Sequence, residues 1–185
     1  MDVDVPCKPS SKVKALIQNL EAERNVGASP PIKSVIFSCW TKMLDQIGKA
    51  LFANNLCFER IDGSKSDSQR RTALESFRND PDCCILLASI GSAGVGLDLT
   101  VASCVHLMEP QWSPMAEEQA LDRVHRMGQT RDVVATRYVV KNSIEEYVIS
   151  VQEMKSKVIK QSFDTGTATE TLNVRERLMK YLQQT

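Results

Sequence analysis

The chain has 185 residues, 42% of them hydrophobic, which is enough for one well-buried domain and small for two. Lysine plus arginine total 23 and aspartate plus glutamate total 23, so a uniformly basic nucleic-acid binder is excluded and any such contact has to be local. The cysteines show no CxxC spacing and mostly sit in or beside apolar runs, as reduced core residues do.

No apolar run approaches the roughly 18 residues of a membrane span. The start MDVDVPCKPS lacks the basic-then-apolar layout of a signal peptide, which favours the cytosol or nucleus.

Residues 1–31 are expected to hold an N-terminal helix and then a linker, Asn25 to Pro31. Strands are predicted at Ser34 to Ser38, Phe58 to Asp62, Cys83 to Ala88, Cys104 to Met108 and Val133 to Val140. Several are apolar on both faces, which a parallel sheet covered by helices requires, so the expected class is α/β.

Between the strands, Thr41 to Asn54 carries Met43, Leu44, Ile47, Leu51 and Phe52 at helical spacing. Its Gly48-Lys49 pair is no phosphate loop, because Met43 stands where a glycine is needed and Ala50 where a Ser or Thr is needed. Ser66-Asp67-Ser68-Gln69 has the form of a capping box opening a helix to Asn79, with Pro81 after it.

The strand before Ser89 feeds a loop, Ser89-Ile90-Gly91-Ser92-Ala93-Gly94-Val95-Gly96-Leu97-Asp98, whose glycines let a backbone approach a phosphate or sugar. An ordinary strand-to-helix turn has the same composition, and both readings stand.

Ser113-Pro114 starts a further helix, with Glu117 and Glu118 near its positive end, expected to run to Met127 before Gly128. Gln119, Arg123 and Arg126 would then share one face, where two guanidiniums call for an anion such as a polyphosphate, or for carboxylates. Structural salt bridges to Asp122, Glu118 or Asp132 are the alternative. Ser143 to Glu146 is a second capping box, before an amphipathic stripe of Ile144, Tyr147, Val148, Val151, Met154 and Val158. Asp164 to Thr171 reads as a second linker. His106 reads as a satisfied core residue and His125 as an organiser of the helix end. Arg137 is expected to pair with an acid such as Glu109.

The series SVIFSCWTKMLDQI, RIDGSKSDSQRRTALESF, LLASIGSAGVGLDLTVASCVHLMEPQWSP and QALDRVHRMGQ resembles motifs IV, V and VI, with the segment between, of the second RecA-like lobe of Swi/Snf-type ATPases in helicase superfamily two. The resemblance covers about Ser11 to Phe163. Within that family, LMEPQWSPMAEEQALDRVHRMGQ and NSIEEYVISVQEMK are similar to the helicase-like transcription factor subfamily and its RING-bearing relatives in DNA damage tolerance.

The resemblance implies a three-layer RecA-like domain with a mainly parallel sheet over residues 32–142, followed by a C-terminal brace and terminal helices over 143–185. It implies ATP, with magnesium, in a cleft against a first lobe that supplies the phosphate loop and the acids. Arg123 and Arg126 would act there as arginine fingers and Gln119 would help place them, while Gly94, Gly96 and Asp98 would lie near the nucleotide. Duplex DNA would meet Ser38, Trp40, Lys42, Gly63, Ser64, Arg70, Ser89 and Trp112. Trp112 also reads as a lid over the sheet edge, and Lys42 and Arg70 also read as solvated helix charges.

No structural metal is expected. The implied partners are the first lobe and duplex DNA, with nucleosomes or a RING domain elsewhere in a longer protein, and the implied location is the nucleus. Ala93 stands where glycine is usual, Gly91 where lysine is common and Asp98 where asparagine is common. Those departures at Ala93 and Asp98 support the alternative, a non-enzymatic interaction module that keeps the lobe fold.

Overall fold

The computed structural model describes residues 9–93 and 96–165. The helices are α1 Ser11–Asn25, α2 Thr41–Ala53, α3 Asp67–Asn79, α4 Ile90–Ala93, α5 Pro114–Leu121 and α6 Ile144–Thr165. The strands are β1 Ser34–Ser38, β2 Phe58–Ile61, β3 Ile85–Ser89, β4 Cys104–Leu107 and β5 Val134–Arg137. They pair in the order β2-β3-β1-β4-β5, every neighbour parallel. All strand C-termini therefore emerge on one edge.

Alternation along each strand divides the core into two layers. On one face Val35, Phe37, Leu86, Ala88, Val105 and Leu107 pack under Ala73 and Phe77 of α3, together with Leu99, Ala102, Ala120 and Val124. On the other, Ile36, Ile85, Leu87 and Met108 meet Val13, Leu16 and Leu20 of α1 and Leu44, Ile47 and Leu51 of α2. Burying each Val, Leu, Ile, Phe or Met among these contributes roughly 1.5–3 kcal/mol, which is why helices flank the sheet on both sides. The expected α/β class and three layers are what the chain forms. Helix α1 is part of this core rather than an appendage to it.

Polar side chains staple the layers together. Lys33, buried just before β1, donates to the carbonyls of Phe77 (2.5 Å), Asp80 (2.7 Å) and Cys83 (3.2 Å), closing the C-terminal end of α3 against β3. Lys12 donates to Met108 O at 2.7 Å and pairs with Glu145 at 2.5 Å, fastening α1 to the start of α6. His106 is the satisfied core residue expected, with Nδ1 at 3.0 Å from the Tyr138 hydroxyl and Nε2 at 3.2 Å from Glu23.

The Ser66–Gln69 capping box forms reciprocally. At the second expected box, Ser143 Oγ accepts from Glu145 N at 3.2 Å and donates to Val140 O at 2.6 Å.

The edge strand β5 is shorter than expected, with Val134 58% exposed. The largest departure is α5, which stops at Leu121 instead of reaching Met127. The carbonyls of Arg123 and Val124, which a continuing helix would use internally, are taken by Leu99 N (3.0 Å) and the Gln129 side chain (3.2 Å). Gly128, at φ +104°, then reverses the chain in a conformation that suits glycine. The second expected linker, Asp164 to Thr171, begins inside α6, and its remainder lies outside the described residues.

Candidate functional site

The residues singled out in the sequence fall into two groups. One lies on the loops at the C-terminal edge of the sheet; the other lies where the segment around Asp98 meets the turn after α5.

At the first, β1 delivers Ser38, Cys39 and Trp40. Ser38 is fully buried; its hydroxyl donates to Glu109 at 3.0 Å and to Trp40 O at 3.2 Å, and accepts from Trp40 N at 3.0 Å. Held inward in this way, the Ser38 hydroxyl positions Trp40. Trp40 is 66% exposed, and Lys42 is exposed on the first turn of α2, whose N-terminus carries no side-chain cap. Open helix amides of that kind suit an anionic group. Glu109 also accepts from Cys39 N at 3.2 Å. Burial pushes its carboxyl above the ordinary range, and the bonds from Ser38 and Cys39 only partly offset this.

After β2, Gly63 and Ser64 are exposed in the turn before α3. The buried Asp62 carboxylate accepts from Ser64 Oγ (2.5 Å), Ser64 N (2.9 Å) and Arg60 Nε (2.6 Å). Burial alone would raise its pKa, but the Ser64 bonds and then Arg60 outweigh it and hold it below the usual range. Arg70 folds back on this turn, 3.4 Å from Asp62 O and 3.7 Å from Asp67. Ser89 is buried and shares a 2.6 Å hydrogen bond with Ser92, so it too is held inward.

Trp112 is 45% exposed and packs edge-on against Tyr147 of α6, with ring centroids 6.2 Å apart, while Lys155 donates to its carbonyl at 2.8 Å. Its surface position and its packing as a lid therefore coexist.

At the second group, Gly96 has φ +46° and is exposed, and Gly94 lies outside the described residues. The Asp98 carboxylate accepts from Thr100 Oγ1 (2.8 Å) and Thr100 N (3.1 Å), and Arg78 pairs with it at 3.5 Å. The two Thr100 bonds, against some burial, hold its carboxyl below the usual range, with the charges of Arg78 and Arg126 adding to the effect.

Because α5 ends early, Gln119 lies on the helix while Arg123 and Arg126 lie in the turn beyond it, so the expected single face does not form. Among the described residues, neither Asp122, Glu118 nor Asp132 forms a salt bridge with these arginines. Among the described residues the Arg123 Nε is buried with no hydrogen-bond partner, and Arg126 and Gln119 are exposed.

Of the residues that organise the site, Asp62 and Gln129 were given no role in the sequence, and Glu109 and Glu117 were given others. Asp62 directly follows the half-buried strand β2 and Glu109 lies two residues after the buried strand β4, which was the available signal. Gln129 and Glu117 give no such signal, because their partners are remote in the chain. Arg137 pairs with Glu117 and not with Glu109; the buried Glu117 also accepts from Gln111 N (2.7 Å) and Gln152 Nε2 (2.6 Å), joining α5, β5 and α6. Among the described residues, no cluster of three or more His, Cys, Asp or Glu side chains could hold a metal ion.

Comparison with known proteins gives the following. Residues 11–128 match the profile of the helicase conserved C-terminal domain. The chain is 42% identical over 159 residues to DNA repair protein RAD5A of Arabidopsis thaliana, covering 86% of this chain and 15% of that protein. It is 46% identical over 140 residues to DNA repair protein rad8 of Schizosaccharomyces pombe, covering 76% and 12%. To the helicase-like transcription factor of Homo sapiens it is 38% identical over 164 residues, covering 88% and 16%. The crystal structure of the C-terminal part of the Fun30 ATPase domain superposes with a TM-score of 0.73 at 32% identity, covering 77% of this chain and 45% of that one. The chain thus spans at most 16% of the length of these curated relatives.

Proposed function

Since the chain belongs to the helicase conserved C-terminal domain family, we propose that it is the second RecA-like lobe of a DNA-dependent Swi/Snf-type ATPase acting in DNA repair in the nucleus. Its relatives include proteins named for DNA repair, each several times longer than the span they share with it. The first lobe, in this reading, holds the phosphates, the magnesium ion and the water-positioning acids. This lobe supplies the arginines that complete the site.

The observation that carries the reading is the turn after α5. Among the described residues, Arg123 and Arg126 form no salt bridge, Arg126 acts on the Asp98 carboxylate only through its charge at longer range, and the Arg123 Nε is a buried donor with no hydrogen-bond partner. Leaving such a donor unpaired costs roughly 1–3 kcal/mol, an outlay that an incoming phosphate oxygen would relieve. Charge developing on the transferred phosphoryl group would be met by these guanidiniums without reorganisation, which is how arginine fingers act. Met127, 99% exposed in the same turn, suits a surface that another lobe covers.

DNA contact falls to Trp40, Lys42, Gly63, Ser64 and Trp112 at exposed positions, with Arg70 beside them. Ser38, Asp62 and Glu109 hold these loops in shape. A few phosphate contacts per lobe are compatible with zero net charge.

The test is ATP turnover with duplex DNA. The chain alone should hydrolyse no ATP, and the chain joined to a first lobe should. Turnover by the chain alone, abolished by Arg126→Ala, would overturn the reading.

A further inference from the structure

We propose that Gln129 is a positioning residue that locks the arginine turn to the Asp98 segment. The proposal rests on the nucleotide reading above for its functional consequence, and on hydrogen-bond geometry for its structural content.

The two N–H groups of Gln129 Nε2 are shared among three carbonyls, Ala102 O at 2.7 Å, Thr100 O at 3.0 Å and Val124 O at 3.2 Å, while its Oε1 accepts from Arg131 N at 3.0 Å. One amide thus gathers both segments of the second group. Thr100 is also the residue whose hydroxyl and amide hold Asp98, at 2.8 and 3.1 Å. Val124 follows Arg123, whose own carbonyl receives Leu99 N at 3.0 Å. The chain reversal at Gly128, φ +104°, turns Gln129 back toward carbonyls it would otherwise leave behind.

A side chain at this position must donate to several oxygens at once. The same fold has a second solution to that demand, since the Lys33 ammonium serves the carbonyls of Phe77, Asp80 and Cys83. A glutamate at 129 would instead aim carboxylate oxygens at three carbonyls. The turn carries two guanidiniums, so its placement sets where their charge falls. A displacement of about 1 Å in such a group can cost on the order of 100-fold in rate.

Two measurements test this. In a protein joining a first lobe to this chain, Gln129→Ala and Gln129→Glu should lower DNA-stimulated kcat by about 10-fold or more, with KM for ATP changed less than about twofold. Gln129→Lys, which restores donors, should recover most of the loss. In the chain alone, amide hydrogen exchange of Gln129→Ala should quicken at Leu99 and Arg131 and stay slow at Leu86 in the sheet. Unchanged kcat in Gln129→Ala overturns the proposal, as does loss of protection spread evenly through the sheet. If the unsubstituted two-lobe protein hydrolyses no ATP, the nucleotide reading fails, and the exchange pattern still decides whether Gln129 holds these segments together.

Discussion

The amide of Leu99 donates to the carbonyl of Arg123 at 3.0 Å, so a backbone bond, beside the side-chain bonds of Gln129, joins the residue after the glycine-rich loop to the arginine turn. A side-chain substitution at 123 leaves that bond in place. With Leu99 and Val124 both fully buried on the same sheet face, the turn is anchored beneath while its guanidiniums form no salt bridge among the described residues.

Arg123→Ala should therefore leave the stability of the chain unchanged within about 0.5 kcal/mol, or raise it slightly, because it removes a buried donor that has no partner. Urea unfolding monitored by circular dichroism checks this. A loss of several kcal/mol would show that Arg123 is structural.

Lys33→Met should behave oppositely. It strands the carbonyls of Phe77, Asp80 and Cys83 in the interior, and unfolding midpoints should report a loss of roughly 3 kcal/mol. Retained stability would mean that α3 closes against β3 without the ammonium.

How much of this was legible in the sequence depends on the range of the interaction. Val35, Ile36 and Phe37 announce a strand buried on both faces, and Ser66 with Gln69 announces a helix start, because each signal lies within a few residues. The end of α5 was not legible: Arg123 and Arg126 continue a helical period, and only the remote amide of Leu99 and side chain of Gln129 claim the carbonyls. Arg137 was assigned the wrong acid for the same reason, since nothing near it in sequence points to Glu117 over Glu109. The motif order placed Ser38 in a DNA-facing loop, but a serine cannot declare from sequence that its hydroxyl turns inward to Glu109.

Acid should weaken the fold through Asp62 and Glu23. Burial would raise both carboxyls, yet Ser64 and Arg60 at Asp62, and His106 and Ser34 at Glu23, outweigh it and hold both below their ordinary values. A folded value below the unfolded one gives stability that is fully present above the ordinary carboxylate range. It is lost as pH falls through the folded value. Glu109, pushed up by burial, works in the opposite sense and is relieved by protonation. Urea unfolding from about pH 6 to about pH 2.5 should show Asp62→Asn less stable at the upper end, with a shallower acid decline. An identical decline in the variant would remove Asp62 from the account.

Lys42 and Trp112 should separate on salt titration of DNA binding by a two-lobe protein. Lys42→Gln should reduce the slope of log affinity against log salt by about 1, as one phosphate contact does. Trp112→Ala should weaken binding with the slope unchanged, because an indole releases no counterion. Equal slopes in all three proteins would place Lys42 away from the phosphates.

The central claim is that the turn after α5 acts on the transition state of ATP hydrolysis. The most direct measurement is steady-state ATPase kinetics, with saturating duplex DNA, of a two-lobe protein carrying Arg123→Ala or Arg126→Ala. The account predicts kcat lower by roughly 100-fold or more, with KM for ATP little changed. Unchanged kcat, or ATP affinity lost in the same proportion as turnover, would contradict it.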